Sequence, residues 1–278
     1  MGAPMTMHGR SLIRSVRRRD VLAAAAGLAA CAMLQPVGAL AAGPWQRLDA
    51  ARDLIGDTVP DTTGIRLDLP LVSEDGSAVS VAVTVDSPMT DDDFVQSIHL
   101  FADRNPSPEI LAVELTPRAG RAELSTRVRL NESQSVIAIA RTSRGRVLAT
   151  ARDIRVTISG CLVRADTYDS PADLDTRVRV TAPARAGEPA EVLTLINHPM
   201  ETGLRLDEAG DPIPERIIDR FEARLNGEPV LRARYYRSLA ANPFLRFHVA
   251  PETPGTLALT WTEDTGRIAE AEARIRPG

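Results

Sequence analysis

The chain contains no lysine, so all 33 basic residues are arginine. That excludes Schiff-base catalysis on a lysine amine and phosphate cradles that depend on a P-loop lysine. Aromatic residues make up only 4% of the sequence, which argues against base-stacking platforms and broad carbohydrate grooves. Both signs of charge are mixed along the chain and the net charge is -4, so no nucleic-acid surface is expected. No apolar run is long and strong enough for a membrane span. Cysteine is almost absent as well: there are two, Cys31 and Cys161. No C-x-x-C exists, which removes dithiol oxidoreductase chemistry.

Residues 1–42 read as an export signal. The basic segment Arg14 to Asp20 precedes the Ala-rich stretch Val21 to Leu34, and Ala39-Leu40-Ala41 fits a small-x-small cleavage site. Arg18-Arg19-Asp20-Val21-Leu22 resembles a twin-arginine signal, used for export in folded form. Leu28-Ala29-Ala30-Cys31 offers an alternative lipoprotein cleavage that would tether the protein through Cys31. Cleavage after Ala41 leaves Cys161 without a mate in a periplasmic protein. Its thiol is then free and reactive, bridged to another molecule, or an inert buried sulfur.

After the signal, Trp45, Leu48, Ala51, Leu54 and Ile55 follow a helical period and predict one short helix. The pattern then becomes period two, with strands expected at 65–69, 79–85, 94–102, 109–116, 121–130, 134–141 and 146–158. A second set is expected at 176–182, 190–197, 217–225, 229–236, 244–249, 256–262 and 268–275. Asn226-Gly227 between two apolar runs marks a hairpin, because both residues tolerate positive φ. Trp261 shares strand parity with Leu257 and Leu259, which places it in a core. The expected fold is all-β: two immunoglobulin-like antiparallel β-sandwich domains after a short N-terminal helix. The boundaries are 43–161 for the first domain, 162–175 for an Asp-rich linker and 176–278 for the second. No residue-level repeat is visible between the halves. Parity along 146–158 puts Ile154, Val156 and Ile158 inward, and Arg155, Thr157, Ser159 and Cys161 on the opposite face.

Several motifs add up to a family resemblance. Val85-Asp86-Ser87-Pro88-Met89-Thr90, Ile98 to Ala102, Asn105-Pro106, Pro117 to Arg129 and Val156 to Cys161 resemble the Y subunit of the periplasmic sulfur-oxidation (Sox) carrier. Asn197-His198-Pro199-Met200-Glu201-Thr202-Gly203, Asn226-Gly227, Asn242 to Leu245 and Leu259-Thr260-Trp261 resemble the Z subunit. The resemblance implies a carrier and not an enzyme, with Cys161 as the covalent attachment point for a sulfur species presented to partner enzymes. It implies no cofactor and no metal.

One departure matters. Family arms have glycines on both sides of the cysteine and end there. Here Ser159-Gly160-Cys161-Leu162-Val163 runs on into a second domain. Leu162 and Val163 restrict the backbone where glycine would free it. Such fused proteins resemble SoxYZ-like carriers associated with quinoprotein dehydrogenase systems, so the expected partners are sulfur-oxidation or quinoprotein dehydrogenase enzymes.

Three readings of function follow. The first is the thiol carrier. The second is an accessory binding module of a dehydrogenase system, its thiol incidental. The third is a Cys–His enzyme with Cys161 as nucleophile and His198 or His99 as base. Blue copper is not expected, since no His or Met follows Cys161 before His198 and Met200. Asn197, His198, Pro199 and Met200 are assigned a rigid turn or an interface, because proline fixes its own φ and extends the residue before it. His99 and His248 read as ordinary strand residues, and Asp91-Asp92-Asp93 as a solvated loop.

Overall fold

Alternating apolar residues set the strands, and the inward faces of those strands set two packed sheets. The computed structural model describes Gly2 and residues 43–159, 173–181, 183 and 185–277. A 3-10 turn, Pro44–Arg47, leads into helix α1, Asp49–Ile55. The first half of the chain then supplies β1 (Ile65–Asp68), β2 (Val72–Asp75), β3 (Val79–Val85), β4 (Val95–Ala102) and β5 (Glu109–Leu115). It continues with β6 (Ala122–Val128), β7 (Gln134–Thr142) and β8 (Val147–Ile158). The second half supplies β9 (Thr176–Val180), β10 (Ala190–Ile196), β11 (Ile218–Leu225) and β12 (Glu228–Tyr235). The last strands are β13 (Phe244–Val249), β14 (Gly255–Glu263) and β15 (Ile268–Ile275).

These strands form a six-stranded sheet, β1-β3-β6-β13-β10-β9, and a nine-stranded sheet, β15-β14-β11-β12-β5-β4-β7-β8-β2. The mostly β, sandwich-type architecture agrees with the sequence. Both sheets cross from one half of the chain to the other. In the larger sheet β5 pairs with β12 from Leu111↔Tyr235 to Leu115↔Leu231. In the smaller one β6 meets β13 at Thr126↔Leu245 and Ser125↔Arg246. Residues 43–278 therefore form one compact unit with a core drawn from both sheets and both halves. On the second-half side that core centres on Phe221, whose ring lies 5.0 Å from Trp261, 6.0 Å from Phe247 and 6.2 Å from Tyr235.

Helix α1 packs on the outer face of the larger sheet. Trp45, Leu48, Ala51 and Ile55 cover Phe101, Ile137, Ile139, Val147 and Ala149. β7 is thus buried on both faces, which explains its nearly unbroken apolar run.

Three expectations are corrected. Ile158 is 61% exposed although it shares parity with buried Ile154, because the strand runs past the end of the core there. β2 was not foreseen, and it pairs parallel to β8 in an otherwise antiparallel sheet. Only Val72 in it is apolar, so it carries no alternation to read.

The third correction is a residue-level repeat. In the first half, Met89 N–H donates to Ser87 Oγ (3.3 Å) and Val95 N–H to Met89 Sδ (3.4 Å). In the second, Met200 N–H donates to His198 Nδ1 (3.0 Å) and Ile218 N–H to Met200 Sδ (3.3 Å). Both methionines have positive φ, 50° and 53°. The adjoining turns repeat too: Thr142 N–H bonds Arg146 O as Glu263 N–H bonds Arg267 O. Ser143 N–H bonds Phe94 O as Asp264 N–H bonds Ile217 O. Asp-Ser-Pro-Met and Asn-His-Pro-Met are therefore the same crossing between sheets, and the strand orders of the two halves are related by an internal pseudo-two-fold. The second half departs from it by the long excursion between Glu201 and Arg216, which are bridged as Thr90 and Asp93 are.

Candidate functional site

The site begins at the end of β8. Val72, Ser73 and Asp75 of β2 pair with Arg155, Val156 and Ile158, and Gly76 N–H donates to Ile158 O (2.9 Å). On the other side Val156 N–H donates to Ser133 Oγ (3.0 Å). Ser159 Oγ donates to Asn131 Oδ1 (2.9 Å). The backbone is thus held on both sides as far as Ile158, and the last described residue of the arm, Ser159, is held through its side chain. Cys161, Gly160, Leu162 and Val163 lie outside the described residues. Two extended residues span at most about 7 Å, so the thiol is tethered close to this root.

Beneath the root lies a fully connected polar network. Asn105 Nδ2 donates to Arg129 O (2.8 Å) and Ser238 Oγ (3.0 Å). Its Oδ1 accepts from Asn131 N–H (2.9 Å) and Gln134 Nε2 (2.8 Å). All four hydrogen-bonding positions of this buried amide are used. Arg129, only 3% exposed, donates from Nη1 to Met200 O (2.5 Å) and from Nη2 to Pro199 O (2.9 Å). The guanidinium fork therefore clamps the second half's Asn-His-Pro-Met turn to the loop that holds Ser159.

His198 lies deeper and is completely buried. Its Nδ1 accepts from Met200 N–H, so the ring proton sits on Nε2 and is donated to Glu263 Oε1 at 2.9 Å. Burial holds the imidazole below its usual range despite the carboxylate. Burial raises the Glu263 carboxyl, but hydrogen bonds from Thr265 and His198 outweigh it and hold the group below the ordinary range. Both ring nitrogens are committed to structure. Asn197 is exposed and gives its N–H to Asp175 O (2.8 Å), while Pro199 and Met200 are buried. β9 enters beside this motif, since Thr176 pairs with Ile196. Ser159 and Asp175, on either side of positions 160–172, therefore lie at the same end of the sandwich.

His99 lies on the outer face beside α1, in a cleft of about 340 Å³ with Leu54, Phe101, Glu109 and Tyr236. Burial, with Arg141 nearby, pushes it down to about 4. His248 is buried and also lowered by burial. Below pH 6.5 the unfolded chain takes up protons on these three rings and the folded chain does not. Stability is therefore expected to hold above pH 6.5 and to fall as pH drops toward about 4. His99 contributes at most about 3 kcal/mol of that loss. Denaturant midpoints measured from pH 7.5 to 4.5 test this, and a flat profile would contradict it.

Sequence reasoning placed Asn105 and Arg129 in family-like motifs but gave them no role, and it passed over Asn131 and Glu263. Glu263 was detectable: it continues the core parity of Leu257, Leu259 and Trp261, where a carboxylate needs a partner. The asparagines carry no such signal, because their role depends on loops brought together from distant positions.

Comparison with known proteins accounts for this arrangement. Residues 51–161 match the model of sulfur oxidation protein SoxY, and residues 178–274 match that of sulphur oxidation protein SoxZ. The chain is a fused SoxYZ protein. The β5–β12 and β6–β13 pairings join its SoxY half to its SoxZ half. SoxY and SoxZ are carrier or accessory proteins of sulfur oxidation and work with partner proteins. No helix among the described residues is long and apolar enough to cross a membrane. No curated protein sequence matches the chain. The sulfur carrier protein SoxY from Chlorobium limicola f thiosulfatophilum is 25% identical over 41% of this chain and 98% of its own, with a TM-score of 0.34. A superoxide reductase (neelaredoxin) from Ignicoccus hospitalis matches 34% of this chain and 81% of its own, at 17% identity and a TM-score of 0.32.

Proposed function

We propose that the protein is a periplasmic carrier that holds a sulfur species covalently on Cys161 and presents it to partner enzymes. The observation that carries this reading is that the SoxY match ends on Cys161 itself, two residues beyond the braced root at Ser159. A thiolate is a strong, soft nucleophile and forms reversible S–S bonds. Loading with thiosulfate makes one S–S bond and releases one proton and two electrons, so a redox partner must accept the electrons. Hydrolysis of the sulfonate then consumes water, releases sulfate and two protons, and leaves a persulfide anion on Cys161. In this reading the chain divides into a SoxY-like domain at 43–161, a linker at 162–175 and a SoxZ-like domain at 176–278, a division supported by the segments matched at 51–161 and 178–274. Export by a twin-arginine signal at 1–42 belongs to the same proposal and rests on the sequence pattern alone.

Intact mass spectrometry of protein taken from the periplasm tests the carrier. Wild type is expected to show sulfur adducts that reductant removes and that Cys161→Ser abolishes. An unmodified thiol that resists alkylation in the folded state would overturn the reading. The substitution of Leu162 and Val163 for trailing glycines favours one other reading. In it the protein is an accessory module of a quinoprotein dehydrogenase system, and Cys161→Ser would then retain full function.

A further inference from the structure

β15 is the terminal strand of the nine-stranded sheet, hydrogen-bonded to β14 on one side and to no strand on the other among the described residues. In the SoxY half the equivalent strand, β8, is covered: Asp61 bridges Leu148, and β2 pairs further along. In β15 the alanines Ala269 and Ala271 turn toward the core, while Ile268, Glu270, Glu272 and Arg274 are exposed, followed by exposed Arg276. None of these four charged residues is in an ion pair among the described residues.

Exposed edge strands commonly carry charge, and charge of one sign keeps a second copy away. The order here is different: two negative positions followed by two positive ones, all on one face. An antiparallel copy centred on Ala273 sets Glu272 opposite Arg274 and Glu270 opposite Arg276, each twice by symmetry. Shifting the centre to Ala271 sets Glu270 against Glu272 twice, and shifting it to Glu272 keeps two Glu270–Arg274 pairs but sets Glu272 against itself. A parallel, in-register copy opposes like charges throughout. Only the antiparallel register about Ala273 thus matches all four charged positions with opposite charge and opposes no like pair, and opposite charges directly across a strand pair attract.

We propose that β15 is a homodimerisation edge, pairing antiparallel with β15 of a second copy about Ala273 and joining two nine-stranded sheets into one. A contact of one strand per partner falls at the small end of specific interfaces, so the association is weak and reversible. Its ion pairs are exposed, and salt weakens it: the screening length shrinks from about 10 Å at 0.1 M to about 3 Å at 1 M.

Sedimentation velocity over a concentration series at low salt tests the proposal on the full mature chain. Wild type is expected to associate to a dimer. The double variants Glu270→Arg/Glu272→Arg and Arg274→Glu/Arg276→Glu each carry a uniform ladder and are expected to associate at least roughly tenfold more weakly. Mixing the two variants puts four arginines opposite four glutamates and restores a mixed dimer. Circular dichroism and melting temperature confirm the fold of each. Should one variant fail to fold, the other still decides, because the loss of association is required of both. A wild-type chain that stays monomeric throughout, or a dimer equally strong in either variant, overturns the proposal.

Discussion

Replacing Arg129 by alanine is expected to lower the stability of the folded chain by about 3 kcal/mol or more. The guanidinium is buried and spans two carbonyls, Pro199 O and Met200 O, that belong to the other half of the molecule. Alanine strands both in the interior. An unsatisfied buried polar group costs about 1–3 kcal/mol, and the emptied volume adds a cavity penalty. For a unit of this size each kcal/mol shifts the melting temperature by about 2–4 °C, so a drop of about 6–12 °C is expected in calorimetry. Arg129→Lys keeps the charge but replaces a planar fork by a single ammonium, which cannot hold both carbonyls in the same geometry. It is expected to fall between wild type and alanine. A melting temperature unchanged in Arg129→Ala would show that the clamp contributes nothing.

His198→Ala is expected to cost about 3–5 kcal/mol, the range for removing one partner of a buried pair and leaving its carboxylate behind. Glu263 has no exposed side-chain surface, and without His198 it keeps only the Thr265 hydroxyl and two more distant cations, Arg216 and Arg267, at 3.9 and 3.6 Å. The internal repeat supplies an unusual control. Positions 198 and 263 of the SoxZ half correspond to Ser87 and Thr142 of the SoxY half, where the same crossing is built without charge. The double variant His198→Ser/Glu263→Thr is therefore expected to be more stable than His198→Ala, because no buried carboxylate is stranded. The two changes are also expected to be non-additive in a double-mutant cycle. The same variant removes the share of acid sensitivity that belongs to His198. Denaturant midpoints at pH 7.5 and 5 check both effects, and strict additivity would show that the pair is not coupled.

The strands were legible because each buries one face, and period-two alternation records that directly. Val79, Val81, Val83 and Val85 are all buried, and Trp261 lies in the core where its parity placed it. Helix α1 was legible for the same reason at a different period. β2 was not, since its place depends on backbone pairing with β8 and not on its side chains. Ile158 misled because parity gives the face of a strand but not where the core ends. The pairing of β5 with β12 and of β6 with β13 was invisible for a deeper reason. Which strand lies beside β5 depends on edges and registers shared between distant segments, and alternation within one strand says nothing of its neighbour. The repeat was hidden because the crossing conserves geometry while its chemistry changes from serine and threonine to histidine and glutamate. At the site itself, the motifs that carried the family resemblance also held the clamp, the amide hub and the cysteine, but only folding shows that the first two brace the root of the third.

The shared sheets also set an order on how the molecule comes into being. β5 and β6 are made early, yet their outer neighbours, β12 and β13, belong to the last third of the chain. While the ribosome is still making the second half, the first presents two open strand edges and an unfinished core. Open edges and exposed apolar surface are what draw nascent chains into aggregates. A chain stopped at the linker keeps those edges for good. Synthesis must run nearly to completion before β5 and β6 gain the neighbours that close their edges, so the SoxZ half finishes the sheets of the SoxY half as well as adding its own.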